Sequence, residues 1–400
     1  MQKEMITVTI NQLPVDTFSY YQWLLLGLNE LENEGKLKLR YKVSLLDRFA
    51  LLWNNSKWVA GVLRRLIYYI DKVPRYNLIG EVEMDGAKRT FTIDCKDSPF
   101  IFTEKLLKEC DVYFKNQCPK SIDEEGFEIM PSVRVPYMDI EFGKNEGENA
   151  IYTRRVSSEV YRLRDKIFPG MIGPRRLAWG CRYKDMKKRY LKYLESQSVA
   201  KEKKMMAYFG STDTVQGSKK STNFDLDWEP DLIAYLKKFN SSHPNEKRAT
   251  AVALMNELGD QFDGRLIHEL INGREVKHYQ NVVPLKDFCD FIAQFDYNLN
   301  ISGFRLSIPN RFIESFISGT AIITDKLQVK WYQPFGSEVI ETVDMGYLPN
   351  EDVDWDKFKD DINHLPPIDK DEILKAYNEK WSPIAFARYV VNTTIGKEVL

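Results

Sequence analysis

The chain has 400 residues, of which 43% are hydrophobic and 13% aromatic, and its formal net charge is -1. These values exclude an intrinsically disordered chain and a polycation of the nucleic-acid-binding kind, and the length exceeds what one hydrophobic core usually fills, so two domains are expected. The five cysteines (Cys95, Cys110, Cys118, Cys181 and Cys289) are scattered without a C-x-x-C pair, which indicates neither a disulfide framework nor a zinc site and fits a reducing, cytoplasmic setting.

In chain order, "MITVTI" (5–10) alternates and is β-branched, so it reads as a first strand, and no signal-peptide apolar run precedes it. "TFSYYQWLLLGLNELENEG" (17–35) has helical periodicity and stops at Gly35, and "KLKLRYKVS" (36–44) is a second strand. "FALLWNNSKWVAGVLRRLIYYI" (49–70) is the most apolar run, but Asn54, Asn55 and Lys57 break it. It reads as an amphipathic helix at a surface or membrane interface instead of a span. "NLIGEVEMDGAKRTFTIDC" (77–95) holds two alternating runs around Asp85-Gly86, a hairpin signal. A helix over 98–110, a buried strand over 111–117 and a further strand over 125–132 follow. Residues 151–205 read as basic helices joined by the turn "FPGMIGPRR" (168–176). That positive segment can face phosphates, an anionic membrane or the acidic stretch 337–375, or can simply be a solvated face.

The second half opens with "KKMMAYFGSTD" (203–213), a strand running into Gly210, Ser211 and Thr212. A polar loop (214–230) and a helix over 243–260 follow, the helix with Pro244 in its first turn and Gly259 at its end. Helix then strand is expected over 288–302, and two short helices interrupted at Pro383 over 371–395. The alternation of strand and helix predicts an α/β protein with two doubly wound, Rossmann-like units divided near residue 200: residues 1–200, residues 201–370, and a terminal helical segment 371–400.

The chemistry concentrates in "GFRLSIPNRFIESFISGTAIITDKL" (303–327). A helix is expected over about 308–318, with Ser307 as its N-cap, Pro309 in its first turn and Gly319 at its end. Its start offers free N–H groups to an anion. Arg305 lies just before it, and Arg311 in the first turn can grip phosphate oxygens as a fork. Glu314 shares the face of Arg311 and can accept both hydroxyls of a ribose, or the two side chains can simply pair at i, i+3.

"IPNRFIESFISGTAIITD" resembles the donor-site helix of GT-B glycosyltransferases, which carries the pattern R-x-x-E-x-x-x-x-G before a late strand; the matching residues are Arg311, Glu314 and Gly319. The element order over about 205–325 is similar to the C-terminal domain of that fold, and the helices 371–395 resemble its segment that crosses back to the first domain. Leu306 stands where the retaining families with two glutamates carry the first of them, so the exostosin-like and fucosyltransferase-like variants are nearer. The resemblance implies two Rossmann-like domains facing a cleft, and a nucleotide-sugar donor met by Arg311 and Glu314. Arg305, Ser307 and Asn310 around the same helix start are further donor-binding candidates, as are Gly210, Ser211 and Thr212 at a strand end, unless they form an ordinary turn, and Arg265, unless it is a surface arginine. The resemblance implies no metal ion and no cofactor.

All four histidines (His243, His268, His278 and His364) lie in the second half, so a base on the first unit would have to be a carboxylate. Asp94 and Asp97, at the end of a predicted strand, are the candidates; a neighbouring carboxylate would raise one of them toward neutral, and Asp97 can equally cap the next helix. Lys115 and Asn116, at another strand end, can hold an acceptor or can belong to a solvated loop. The expected activity is transfer of a hexosyl or deoxyhexosyl group to a glycan or lipid-linked acceptor, in surface polysaccharide biosynthesis, with peripheral membrane association and no nucleic-acid partner. A non-catalytic two-domain binding protein for a phosphorylated ligand is the alternative.

Overall fold

The computed structural model describes residues 5–14, 20–52, 76–96, 99, 102–120, 122, 127–129, 140–142, 152–154, 157–175, 177–178, 180–209, 245–266, 268–271, 274–277, 283–302, 307–325, 327, 329–341 and 354–400. The first of its two main sheets contains β1 (Ile6–Gln12), β2 (Leu37–Tyr41), β3 (Asn77–Met84), β4 (Ala87–Asp94), β5 (Val112–Lys115) and β6 (Ile167–Pro169), in the order β6-β5-β4-β3-β1-β2. β2 lies parallel to β1, and β4, β5 and β6 are parallel to one another, but β3 is antiparallel to both of its neighbours. The cause is the predicted hairpin. Asp85 (φ 54°) and Gly86 (φ 73°) form a two-residue turn with both centres in the left-handed region, and such a turn joins only antiparallel strands. The first half is therefore a mixed sheet and differs from the doubly wound pattern expected of it. The segment 151–205 also departs from the helical expectation: helices Ser158–Arg162 and Tyr183–Glu195 form, but Tyr152–Arg154 and β6 are strands.

The second sheet contains β7 (Lys203–Phe209), β8 (Phe262–Leu266), β9 (Phe295–Asn300), β10 (Ala321–Thr324) and β11 (Val339–Glu341), in the order β8-β7-β9-β10-β11, and every pair is parallel. Both faces are covered. Met205, Ala207 and Phe209 pack on Ala251 and Met255 of helix Asn245–Glu257 and on Phe358 and Ile362 of helix Trp355–Asn363. Met206 and Tyr208 point the other way, onto Phe288 and Ile292 of helix Phe288–Ala293. Burial on both faces explains why β7 reads as an unbroken apolar run after its two lysines.

The two sheets are joined by one apolar core, which runs from Val8, Leu24 and Phe91 through Phe312 and Phe316 to Trp331 and Trp381. The C-terminal segment closes it. After helix Lys370–Ala376 and one π turn, Ser382 caps a new helix by accepting a bond from Ala385 N (3.2 Å), and Pro383 starts that helix, Pro383–Ile395. It lies against helix Gln22–Asn33 of the first sheet so closely that a Cβ on Gly27 would sit 1.9 Å from the Pro383 carbonyl oxygen. Trp23 Nε1 donates to Trp381 O at 2.9 Å in the same contact. The described residues of the two sheets thus share one core.

Segments leaving the C-terminal ends of strands in one sheet meet their counterparts from the other. Gln117, just beyond β5, exchanges two bonds with Ile308, just beyond β9: Nε2 to Ile308 O at 2.9 Å and Ile308 N to Oε1 at 3.0 Å. Asn310 Nδ2 donates to Gly173 O at 2.7 Å. Residues 118–119 pair antiparallel with residues 329–330.

Candidate functional site

In the order β8-β7-β9-β10-β11, the chain leaves β7 in one direction and β9 in the other. Connections that diverge in this way open a crevice at the C-terminal ends of the two strands, where open α/β sheets bind ligands. The side chains at that point are cationic. Arg311 begins helix Arg311–Ile317, and its Nη2 donates to Asn300 Oδ1, the last residue of β9, at 3.2 Å. Its guanidinium carbon lies 5.1 Å from the ring centroid of Phe209, the last residue of β7, and that of Arg248 lies 5.4 Å from the same ring. Arg248 Nη2 donates to Ile301 O at 2.9 Å.

Among the described residues the charge of Arg311 has no carboxylate partner, and its Nη1, shielded from solvent, makes no hydrogen bond, which costs about 1–3 kcal/mol for a group of this kind. Burial first, then the charges of Arg248 and Arg175, pull its pKa down to about 9, and Glu314 offsets only part of this. Arg248 falls to about 10, again through burial, with Asp325 pulling the other way. Asp325 is itself enclosed: it accepts bonds from Ser302 N (3.0 Å), Ser302 Oγ (2.8 Å) and Thr324 Oγ1 (3.1 Å), and burial raises its pKa. An anion among these arginines would meet donors already in place.

Glu314 does not pair with Arg311. It is 1% exposed, and both of its oxygens accept from Arg175 of the first unit: Oε1 from the backbone N (2.9 Å) and Nε (3.2 Å), Oε2 from Nε (3.3 Å). Both oxygens therefore face the first unit through Arg175, and each of them already accepts at least one bond. Arg175 in turn lies 3.9 Å from the Phe288 ring centroid. Ser307 is not the N-cap; that position belongs to Asn310, whose side chain makes no capping bond because its amide reaches Gly173 instead. The helix has only seven residues, too few to act as an anion site through its end alone. Arg265 forms a bidentate pair with Asp263 two residues away (2.7 and 3.0 Å) and rests on Phe291, so its charge is compensated. Gly210, Ser211, Thr212, Arg305 and Asp97 lie outside the described residues.

No family model, no curated protein and no solved structure matches this chain.

In the first sheet, the ends of β4 and β5 bring Asp94 and Lys115 together. Both are fully buried, and Lys115 Nζ lies 3.3 Å from Asp94 Oδ2. The same oxygen accepts from Tyr113 Oη at 2.6 Å, and Oδ1 accepts from Lys96 N at 2.9 Å. Burial works to raise the Asp94 pKa, but the charges of Lys115 and Lys96 and the bond from Tyr113 outweigh it, and the carboxyl is held below its ordinary value. The expected raising of one carboxyl by its neighbour does not fall on Asp94, whose close partner is a lysine and whose pKa is lowered. Burial likewise lowers Lys115, with Asp94 opposing. Asn116 Nδ2 donates to Tyr20 O at 2.7 Å, and its Oδ1 is buried without a partner. Lys115 and Asn116 are enclosed side chains, where a solvated loop was the other reading. Among the described residues no group of three His, Cys, Asp or Glu is placed to hold a metal ion, and no helix is long and apolar enough to cross a membrane.

Sequence reasoning missed Arg175, Arg248 and Tyr113. Arg175 sits in the turn 168–176 and Arg248 on a helix after Pro244; neither has a local pattern that marks it, because their partners are 139 and 53 residues away. Tyr113 was legible only as part of a strand.

Proposed function

We propose that this chain is a glycosyltransferase of the GT-B kind, moving a hexosyl or deoxyhexosyl group from a nucleotide-sugar to a glycan or lipid-linked acceptor without a metal ion. The observation that carries this reading is the uncompensated guanidinium of Arg311, shielded at the crevice between β7 and β9 and flanked by two further arginines. A donor diphosphate supplies the missing negative charge, and fixed cations stabilise it further as it departs as leaving group. The resemblance of the Arg311–Gly319 segment to GT-B donor helices points to the same ligand. Glu314 serves this site by holding Arg175, which replaces the role in ribose binding first expected of it.

A non-catalytic binding protein for a phosphorylated ligand is the second reading, and Asp94 favours it. A carboxylate buried against Lys115 and held below its usual pKa is a poor general base at neutral pH. The two readings separate in one screen. Nucleotide-sugars are tested first by thermal shift, because a ligand at 100 times its Kd stabilises the native state by about 2.7 kcal/mol. Any stabilising donor is then incubated with acceptor glycans and the released nucleotide is measured. Stabilisation with nucleotide release supports the transferase; stabilisation without release under any acceptor supports the binding protein. Absence of stabilisation by every nucleotide-sugar and nucleoside diphosphate removes both.

A further inference from the structure

We propose that Arg175, carried by the first unit, contacts the phosphate oxygens of the ligand held at Arg311, with Glu314 as its positioning residue, so that ligand binding draws on both units at once. The proposal deepens the donor-site reading and rests on it only in taking a diphosphate as the ligand chemistry.

The segment that carries Arg175 leaves the C-terminal end of β6 and is fastened in place. Gln22, fully buried on the first helix, donates from Nε2 to Ala178 O (2.8 Å) and Gly180 O (2.6 Å) and accepts from Leu177 N (2.9 Å). Gly173 is tied to Asn310, and the Arg175 carbonyl accepts from Tyr193 Oη at 3.3 Å. From this anchored loop the Arg175 side chain crosses to the second unit.

Its guanidinium is oriented at two points. Nε is held on Glu314, and the plane rests on Phe288. That arrangement uses only the inner edge of the fork. Among the described residues the terminal amino groups find no hydrogen-bond partner, and the side chain is 34% exposed. Arginine–carboxylate pairs are frequently bidentate, and the rigid fork of five donors leaves the outer edge of Arg175 able to hold a second anion. Here two arginines, Arg175 and Arg311, each keep terminal donors unused, and they lie near enough that the charge of one lowers the pKa of the other. Such crowding of like charges is unfavourable in the empty protein and is relieved by one shared anion.

The test is calorimetric titration of inorganic diphosphate and of UDP into the full-length protein and its Arg175→Ala, Arg175→Lys and Glu314→Gln variants, with the melting temperature of each recorded. Arg175→Ala is expected to weaken both ligands by ten-fold or more, Arg175→Lys to fail to restore them because it lacks the fork, and Glu314→Gln to weaken them several-fold although Arg175 is present. Hydrogen exchange of amides 171–175 should slow on adding diphosphate to wild type and not to Arg175→Ala. Wild-type affinity in Arg175→Ala, whatever its melting temperature, would overturn the proposal and leave the donor reading standing. Loss of diphosphate binding in Arg175→Ala, in a protein that transfers no sugar, would support the proposal and overturn the transferase. A wild-type protein that binds neither ligand overturns both.

Discussion

Asp94 and Lys115 are both fully buried and 3.3 Å apart, so removing either charge strands the other. Breaking a buried pair from one side typically costs about 3–5 kcal/mol, whereas replacing both members by apolar groups can be nearly neutral. Asp94→Asn should therefore lower the unfolding free energy measured in urea by an amount in that range, and Asp94→Asn with Lys115→Met should recover most of it. The acid limb has a definite sign. The folded-state pKa of Asp94 lies below that of an unfolded aspartate, so its contribution is complete above the unfolded value of about 3.9 and is lost as pH falls through the folded one. Acid unfolding of the double variant should show a shallower slope below about pH 4. An Asp94→Asn protein with wild-type midpoint and no turnover would restore Asp94 as a catalytic base. The spacing of Arg311 and Glu314 illustrates what one-dimensional reading can miss at this scale. Three residues apart on a helix they read as partners, but Glu314 has a better-placed cation from 139 residues away.

Lys201 staples the entry edge of the second sheet. Its Nζ donates to Phe295 O (2.7 Å), Thr320 Oγ1 (2.7 Å) and Ser318 O (3.4 Å), tying the start of β9 to the turn before β10. All three acceptors are neutral. Burial and the nearby Lys370 lower its pKa to about 7, with Asp296 opposing. An unfolded lysine titrates near 10.4, so between these values the unfolded chain holds more protons and stability rises with pH, by up to about 1.4 kcal/mol per unit. Unfolding free energies at pH 7, 8 and 9 should climb in wild type and be flatter in Lys201→Met; equal slopes would contradict the assignment. Gly27→Ala is a second test of element packing. The added Cβ meets the Pro383 carbonyl, so the helices must separate, at a cost of about 1–3 kcal/mol in thermal or urea unfolding. Elements of this kind were legible where backbone chemistry is local. Asp85-Gly86 specified its turn, Gly259 (φ 92°) and Gly319 (φ 64°) each follow a helix, and the apolar run of β7 announced a strand. β6 was not legible, because a three-residue strand ending at Pro169 looks like a turn and becomes a strand only by pairing with β5.

Over the whole molecule, the shared core makes the two sheets interdependent. Helix Pro383–Ile395 covers the helix and strands of the first sheet, so a chain truncated after residue 370 should expose that apolar face and fail to fold in its N-terminal half. Two separate calorimetric transitions, or a stable fragment 1–200, would contradict this. Strand order was beyond sequence reasoning, since pairing between β7 and β9 depends on contacts about ninety residues apart, and with it the crevice where the arginines gather. The central claim is that the crevice binds a diphosphate through Arg311. A hydrogen bond involving a charged group is worth about 1.5–3 kcal/mol. The direct measurement is calorimetric titration of UDP and GDP into wild type and Arg311→Ala. The predicted result is binding of at least one nucleotide by wild type, weakened roughly ten- to a hundred-fold in a variant that remains folded; equal affinity in the two proteins would contradict it.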